Sequence, residues 1–346
     1  MTTIALDGRG ADRGSEVIVA GARAAAADGI AVRVFGDAAE LGELAGVANV
    51  ELIEAPDAIS NEEEPVAAVR GKPEASIVRA ARDVADGGSD ALASAGPTGA
   101  TMTAALFALK RIRGVRRPAL AVQLLVPGDD GPPALLLDVG ANAEVRPQDL
   151  VQFAYLGAAF SRAVLGVARP RVALLSVGEE PKKGTPEVVE AHAALAGGAK
   201  GGSAAEIDFR GNVEGRDLLT GVADVIVTDG FTGNVALKTL EGTAKAVAGA
   251  VGDAARSGPI SALGGLLLRP ALGGLRRQMD PDRTGGAILL GLRGVAVVGH
   301  GSSGPEGVAN AVRLAARSVD EEAVARMSEL LASSGLERGT NKIMHE

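Results

Sequence analysis

Leu135-Leu136-Leu137-Asp138-Val139-Gly140-Ala141-Asn142-Ala143-Glu144-Val145-Arg146-Pro147-Gln148 is the stretch that decides the fold class. A short apolar run stops at an aspartate, a Gly/Ala/Asn loop follows, and Pro147 opens a helical pattern. Proline suits the first helical position, where its missing N–H is not needed and its φ is already near-helical. The loop therefore joins the C-terminal end of a strand to the N-terminal end of a helix. In open parallel sheets that is where ligands bind. One such loop alone is most often a structural turn, so the argument rests on recurrence.

The pattern does recur. Strands are expected over 3–7, 30–35, 50–53, 90–94, 119–126, 134–137, 171–177, 206–209, 223–228 and 294–298. Helices are expected over 15–27, 76–84, 99–112 with Thr98 as its cap, 147–165, 187–195, 234–251, 305–318 and 321–332. Residues 54–73 form either a loop or an excursion with a short helix. Pro127-Gly128-Asp129-Asp130-Gly131 makes a hairpin of its flanking strands, so an otherwise parallel sheet gains an antiparallel portion. Strand and helix alternate throughout, which gives a layered α/β/α sandwich. No repeat or low-complexity linker divides the chain. Residues 1–346 are taken as one domain, with room for two lobes around a cleft.

Seven loops after apolar runs carry small residues beside polar ones: Asp7-Gly8, Ser94-Ala95-Gly96, Asp138-Val139-Gly140, Val177-Gly178-Glu179, Gly211-Asn212, Thr228-Asp229-Gly230 and Gly299-His300-Gly301. Turns explain the glycines but not so many polar partners. If all seven share one sheet edge, they frame a cleft for an anion, with backbone N–H groups and helix starts as donors.

Composition narrows the function. The chain of 346 residues is 47% hydrophobic and 23% charged, an ordinary globular balance. Aromatic residues are 2% and the net charge is −8, which argues against a base-stacking or general nucleic-acid surface. With no cysteine, a thiol nucleophile and thiolate metal sites are excluded. Three separated histidines, His192, His300 and His345, make a His-rich metal centre improbable. His192 reads as a surface residue and His345 as tail. The start Met1-Thr2-Thr3-Ile4 runs into a strand without a signal-peptide pattern, so a cytoplasmic protein is expected. Nucleotide signatures fail: Arg13 stands where the third glycine of Gly8-x-Gly10 would fall, and Val66 where a P-loop ending in Gly71-Lys72 needs glycine.

Several residues admit two readings. His300 follows a strand amid glycines and precedes two hydroxyls, so it is either structural or functional. Lys182-Lys183 is a solvated pair or a phosphate contact. Asp12, Asn142 and Asp229 are the types that commonly cap helices.

Taken in order, Gly71-Lys72-Pro73-Glu74-Ala75-Ser76, Ser94-Ala95-Gly96-Pro97-Thr98-Gly99-Ala100, Arg117-Pro118-Ala119 and Leu137-Asp138-Val139-Gly140-Ala141-Asn142 lead on to Leu150-Val151-Gln152-Phe153. Gly178-Glu179-Glu180 with Lys183-Gly184, Gly211-Asn212-Val213-Glu214, Asp229-Gly230-Phe231-Thr232-Gly233-Asn234 and Gly299-His300-Gly301-Ser302-Ser303 follow. This series resembles the PlsX-type phosphate acyltransferases. The resemblance implies a fold like that of isocitrate/isopropylmalate dehydrogenases and phosphotransacetylases, usually as a homodimer. It implies transfer of a fatty acyl group from acyl-carrier protein to inorganic phosphate, giving acyl phosphate for phospholipid synthesis. No cofactor and no metal are implied. Two departures stand out: the first loop reads Asp7-Gly8-Arg9-Gly10-Ala11-Asp12 rather than Asp-Ala-Met-Gly-Gly-Asp, and Pro97 replaces an asparagine.

On that resemblance His300, Asn234, Lys183 and Asn142 are the catalytic candidates. Asp12, Lys72, Thr98, Gly99, Asn212, Asp229, Ser302 and Ser303 are the phosphate- or substrate-binding ones. Residues 259–277, PISALGGLLLRPALGGLRR, suit a helical hairpin broken at Arg269-Pro270. Leu266, Leu267, Arg269, Arg276 and Arg277 would meet an anionic membrane surface, near a downstream membrane acyltransferase, or the hairpin would form the dimer contact. A coenzyme A-dependent phosphotransacetylase and a non-catalytic carrier or membrane scaffold are the competing functions.

Overall fold

The computed structural model describes residues 1–129, 131–197, 207–278 and 281–336, and of 269–278 and 281 the backbone only. His345 lies outside the described residues. The strands are β1 (Thr3–Asp7), β2 (Ala31–Gly36), β3 (Val50–Glu54), β4 (Ala91–Ser94), β5 (Ala119–Leu124), β6 (Ala134–Leu137), β7 (Arg171–Leu175), β8 (Asp208–Val213), β9 (Val225–Val227), β10 (Ala287–Leu290) and β11 (Val295–Val298). The helices are α1 (Ser15–Ala27), α2 (Ala38–Leu41), α3 (Pro65–Gly71), α4 (Ser76–Ala85), α5 (Thr98–Leu109), α6 (Pro147–Ala163), α7 (Pro186–Ala196), α8 (Gly230–Arg256), α9 (Pro259–Gln278), α10 (Pro305–Asp320) and α11 (Ala323–Ser333).

All the strands form one sheet in the order β3-β2-β1-β4-β11-β10-β5-β6-β9-β7-β8. β4, β6 and β11 are buried along their whole length, as strands covered on both faces must be. One face packs α1, α6, α7, α10 and α11 around Phe153 and Phe160; the other packs α3, α4, α5 and the start of α8. The α/β/α sandwich is therefore present, and β5 and β6 form the antiparallel hairpin.

Direction within the sheet corrects one expectation. Three antiparallel junctions, β11/β10, β10/β5 and β5/β6, separate the two parallel sets. An odd number of reversals puts the C-terminal ends of β1, β4 and β11 on one edge and those of β6, β9, β7 and β8 on the opposite one. The seven loops do not share an edge. Sequence patterning missed β10, four apolar residues between Gly285-Gly286 and Gly291 with no alternation to betray a strand.

Three smaller corrections follow. Gly211-Asn212 lies inside β8, not after it: the register slips between Val172 and Leu174, and Gly211 takes φ +88° to absorb the bulge. Thr98 is the first residue of α5 and not its cap; Pro97 holds the cap position, and no side chain caps this helix. The hairpin expected within 259–277 is not formed: α9 runs unbroken through Arg269-Pro270, and the turn lies before it, at Ser257-Gly258, between α8 and α9. Pro259 sits at the start of the new helix, the position proline favours, so Ser-Gly-Pro outranks a proline inside an apolar run.

Candidate active site

The loops after β1, β4 and β11 pack into one cluster. Gly299 N donates to Ser94 O at 2.7 Å, and Asp12 N donates to Gly301 O at 2.9 Å. A Cβ on Gly10 would lie 2.8 Å from Pro97 Cδ, and one on Gly301 would lie 2.7 Å from Asp12 Oδ2. Gly10 is at φ +83°, so both backbone and space demand glycine there.

Asp7 braces this cluster from beneath. It is buried and accepts from Ser76 Oγ at 2.6 Å, Ser94 Oγ at 2.8 Å and Arg9 N at 3.2 Å. Ser94 Oγ in turn accepts from Gly96 N at 3.0 Å, which sets the turn leading into α5. Burial pushes the Asp7 carboxyl up to about 6, against the opposing hydrogen bonds. The native state thus holds this proton where the unfolded chain has released it. Its stabilising contribution is full below pH about 4 and is lost as the pH rises through about 6, a swing of roughly 3 kcal/mol at about 1.4 kcal/mol per unit. Asp7→Asn should lack this slope. Denaturant unfolding of both proteins from pH 4 to 7 checks it: parallel stability curves would overturn the account.

His300 sits at the mouth of the same cluster. Its Nδ1 receives Ser302 N–H at 3.2 Å and lies 2.8 Å from Ser302 Oγ. A backbone N–H can only donate, so Nδ1 carries the lone pair and the neutral ring has its proton on Nε2. Nε2 faces Lys238 Nζ at 3.3 Å, and that ammonium also donates to Glu241 Oε2 at 2.8 Å. In that tautomer Nε2–H and the Lys238 ammonium are both donors, 3.3 Å apart, and an anion lying across the pair could accept from both. Sequence reasoning missed Lys238: on α8 it reads as one more solvated helix lysine, and only the fold carries it to His300. Ser303 is buried, its N–H on His300 O at 2.9 Å, and shapes this turn.

Asn234 lies one helical turn before Lys238 and is exposed beside Gly140. The loop after β6 seats the start of this helix. Asp138 is fully buried and accepts from Leu120 N, Gly140 N, Ala141 N, Asn142 N and Asn142 Nδ2 at 2.7–3.2 Å. Burial pushes its carboxyl above the ordinary aspartate range, and these donors oppose the push. Asn142 has both side-chain amide hydrogens engaged, on Asp138 Oδ2 and on Pro118 O at 2.8 Å, while its backbone carbonyl accepts from Gly230 N at 2.8 Å. That geometry makes it a brace of α8. Asp229 caps α8, accepting from Thr232 N at 2.8 Å and Thr232 Oγ1 at 2.7 Å.

Other sequence candidates are placed elsewhere. Lys72 pairs with Glu63 at 2.7 Å and donates to Ala58 O, closing its own loop. Thr98 is exposed at the uncapped start of α5, and Gly99 is small because a Cβ would meet Pro65 Cγ at 2.7 Å. Lys183 is exposed after β7 on the opposite edge. Asn212 fixes that loop: Nδ2 donates to Glu180 O at 3.0 Å, and Oδ1 accepts from His192 Nδ1 at 3.0 Å. His192 is therefore a buried brace and not the surface residue its Ala/Glu-rich helix suggested.

The chain is similar in sequence to one family of known proteins and in fold to several solved structures. The family model described as "Fatty acid synthesis protein" matches residues 2–326. A phosphate acyltransferase of Geobacillus thermodenitrificans is 43% identical over 324 residues, covering 93% of this chain and 96% of its own. One of Elusimicrobium minutum is 44% identical over 336 residues, covering 95% and 96%. Among solved structures, the EutD phosphotransacetylase of Staphylococcus aureus superposes with TM-score 0.58 at 19% identity, covering 92% and 94%. A branched-chain phosphotransacylase of Enterococcus faecalis gives 0.59 at 18%, covering 92% and 99%. A 4-hydroxythreonine-4-phosphate dehydrogenase of Klebsiella pneumoniae gives 0.53 at 16%, covering 91% and 98%. At such identities these structures share the fold alone.

Proposed function

The chain belongs to the phosphate acyltransferase family, and from that premise we propose that it moves a fatty acyl group from acyl-carrier protein to inorganic phosphate at the His300–Lys238 cluster. A phosphate oxygen attacks the thioester carbonyl, the tetrahedral intermediate collapses, and the C–S bond breaks to release the carrier's thiolate and acyl phosphate. Phosphate is already partly dianionic near neutrality and a thiolate leaves readily, so the protein's task is positioning and charge stabilisation.

The observation that carries this reading is the pair of converging donors, Nε2 of His300 and Nζ of Lys238, 3.3 Å apart. Ser302 and the uncapped start of α5 at Thr98 and Gly99 supply further donors to the anion. Asn234 polarises the carbonyl or assists the departing sulfur. Asp12, Asn142, Asp229 and Ser303 keep these groups in place. Purified protein given acyl-carrier-protein thioester should form acyl phosphate only when phosphate is present; turnover independent of phosphate would end this reading.

Among the described residues no helix is long and apolar enough to cross a membrane. The hairpin of α8 and α9 nonetheless exposes Ile260, Leu263, Leu266, Leu267 and Leu268, with Ile260 88% and Leu267 74% accessible. Ile260, Leu263 and Leu267 share one helix face, an apolar stripe that soluble surfaces rarely leave open. We assign it to the membrane surface, where an acyl phosphate product would be used, with a homodimer contact as the competing occupant. Leu266→Glu/Leu267→Glu should abolish flotation with anionic vesicles. Retained flotation removes the membrane role, and a change of sedimentation coefficient instead marks the dimer.

A further inference from the structure

Residues 110–117, Lys-Arg-Ile-Arg-Gly-Val-Arg-Arg, place five cations within eight positions of a chain whose net charge is −8. The fold adds a sixth. Ile112 N donates to Gly291 O at 2.9 Å and Arg293 N to Lys110 O at 3.0 Å, with Arg111 bridged to Leu292. These bonds set Arg293 against the run. Buried Ile112, Val115 and Leu292 anchor the patch, so it is held rigidly.

The charges in this patch are left open. Arg116 pairs with buried Asp149 at 2.9 Å, but Lys110, Arg111, Arg113, Arg117 and Arg293 are exposed and make no ion pair among the described residues. Lys110 and Arg111 donate to the carbonyls of Phe107 and Arg116, and Arg293 Nε donates to Arg111 O at 3.0 Å. A carbonyl satisfies a donor without cancelling its charge. Elsewhere Arg9, Arg33, Arg79, Arg171, Arg216, Arg313 and Arg326 are each matched to carboxylates.

The patch lies at the opposite end of β11 from His300, and it borders the start of α8. Arg117 Nη1 lies 3.5 Å from Asn142 Oδ1, and the Asn142 loop seats α8. From there exposed Asn234 and then Lys238, one turn apart, lead to His300.

We propose that Lys110, Arg111, Arg113, Arg117 and Arg293 form the docking surface for a small acidic carrier protein that presents the acyl thioester. This rests on the carrier-dependent reading above. Complementary charge speeds encounter and fixes orientation, and a rigid patch orders few side chains on binding. The carrier's thioester arm would then run along the first turns of α8 toward His300.

The test compares wild type with Arg113→Glu, Arg113→Glu/Arg293→Glu and the milder Arg113→Gln/Arg293→Gln, residues that touch no candidate catalytic group. Substrates are an acyl-carrier-protein thioester, an acyl-coenzyme A and an uncharged short acyl thioester, at low and physiological salt. The double reversal should raise KM for the carrier substrate by about tenfold or more at low salt, with the gap narrowing as salt screens it. KM for phosphate and turnover of the uncharged thioester should not change, which also reports that the variants fold. An unchanged carrier KM, equal loss on the uncharged thioester, or a response confined to acyl-coenzyme A would each overturn the proposal. Direct titration with the carrier separates the two readings. Patch-dependent binding without phosphate-dependent turnover would keep the docking surface and remove the proposed reaction.

Discussion

Lys238→Ala and His300→Ala are each expected to lower kcat/KM for phosphate by about 10²–10³, the loss typical of removing one preorganised donor at a developing charge. Lys238 Nζ and His300 Nε2 face each other at 3.3 Å, and neither can accept from the other while His300 Nδ1 takes Ser302 N–H. A phosphate oxygen lying across the pair would accept from both. Because both act on the same anion, the double variant should lose much less than the product of the single losses. Lys238→Arg keeps the charge but changes its shape and reach, so it should recover part of the activity. The phosphate KM should rise in Lys238→Ala while the KM for acyl donor stays near wild type. A Lys238→Ala enzyme within about threefold of wild type would remove Lys238 from the anion site.

Lys238 also marks where sequence reading stopped. The layers, most strand and helix positions and the antiparallel hairpin were legible because buried parallel strands write continuous apolar runs and prolines write helix starts. His300 was legible because it stands alone among glycines after a strand. Which loops face one another depends on counting strand reversals, and one reversal hung on β10, whose four apolar residues show no period. Lys238 was invisible for a related reason: it lies on a helix from one half of the sheet, while its partner lies on a loop from the other. Asn142 and Asn212 were visible as polar residues near glycines. Only their partners, Asp138 and Pro118 for one, His192 and Glu180 for the other, reveal that they hold loops.

Among the described glycines, Gly233→Ala should be the most disruptive alanine substitution, and Gly242→Ala in the same helix its opposite. Alanine is intrinsically favoured over glycine in a helix interior by about 1 kcal/mol. At Gly242, exposed with nothing within 4 Å of an added Cβ, that preference should appear as a gain of up to this size. At Gly233 the added Cβ would overlap the carbonyl oxygen of Asp138 and lie 2.8 Å from Thr228 Cγ2. Asp138 cannot give way, because five N–H donors pin its carboxylate and Asp138 N itself donates to Thr228 O at 3.0 Å. The helix must move instead. Overpacking of this kind costs about 1–3 kcal/mol, enough to outweigh the propensity gain. Moving α8 also carries Asn234 and Lys238 away from His300, and a displacement of about 1 Å can lower activity about 10²-fold. Denaturant unfolding with phosphate-dependent turnover measures both effects on the two variants. If Gly233→Ala is stabilised like Gly242→Ala and keeps its activity, the seat of α8 on the Asp138 loop does not position the site.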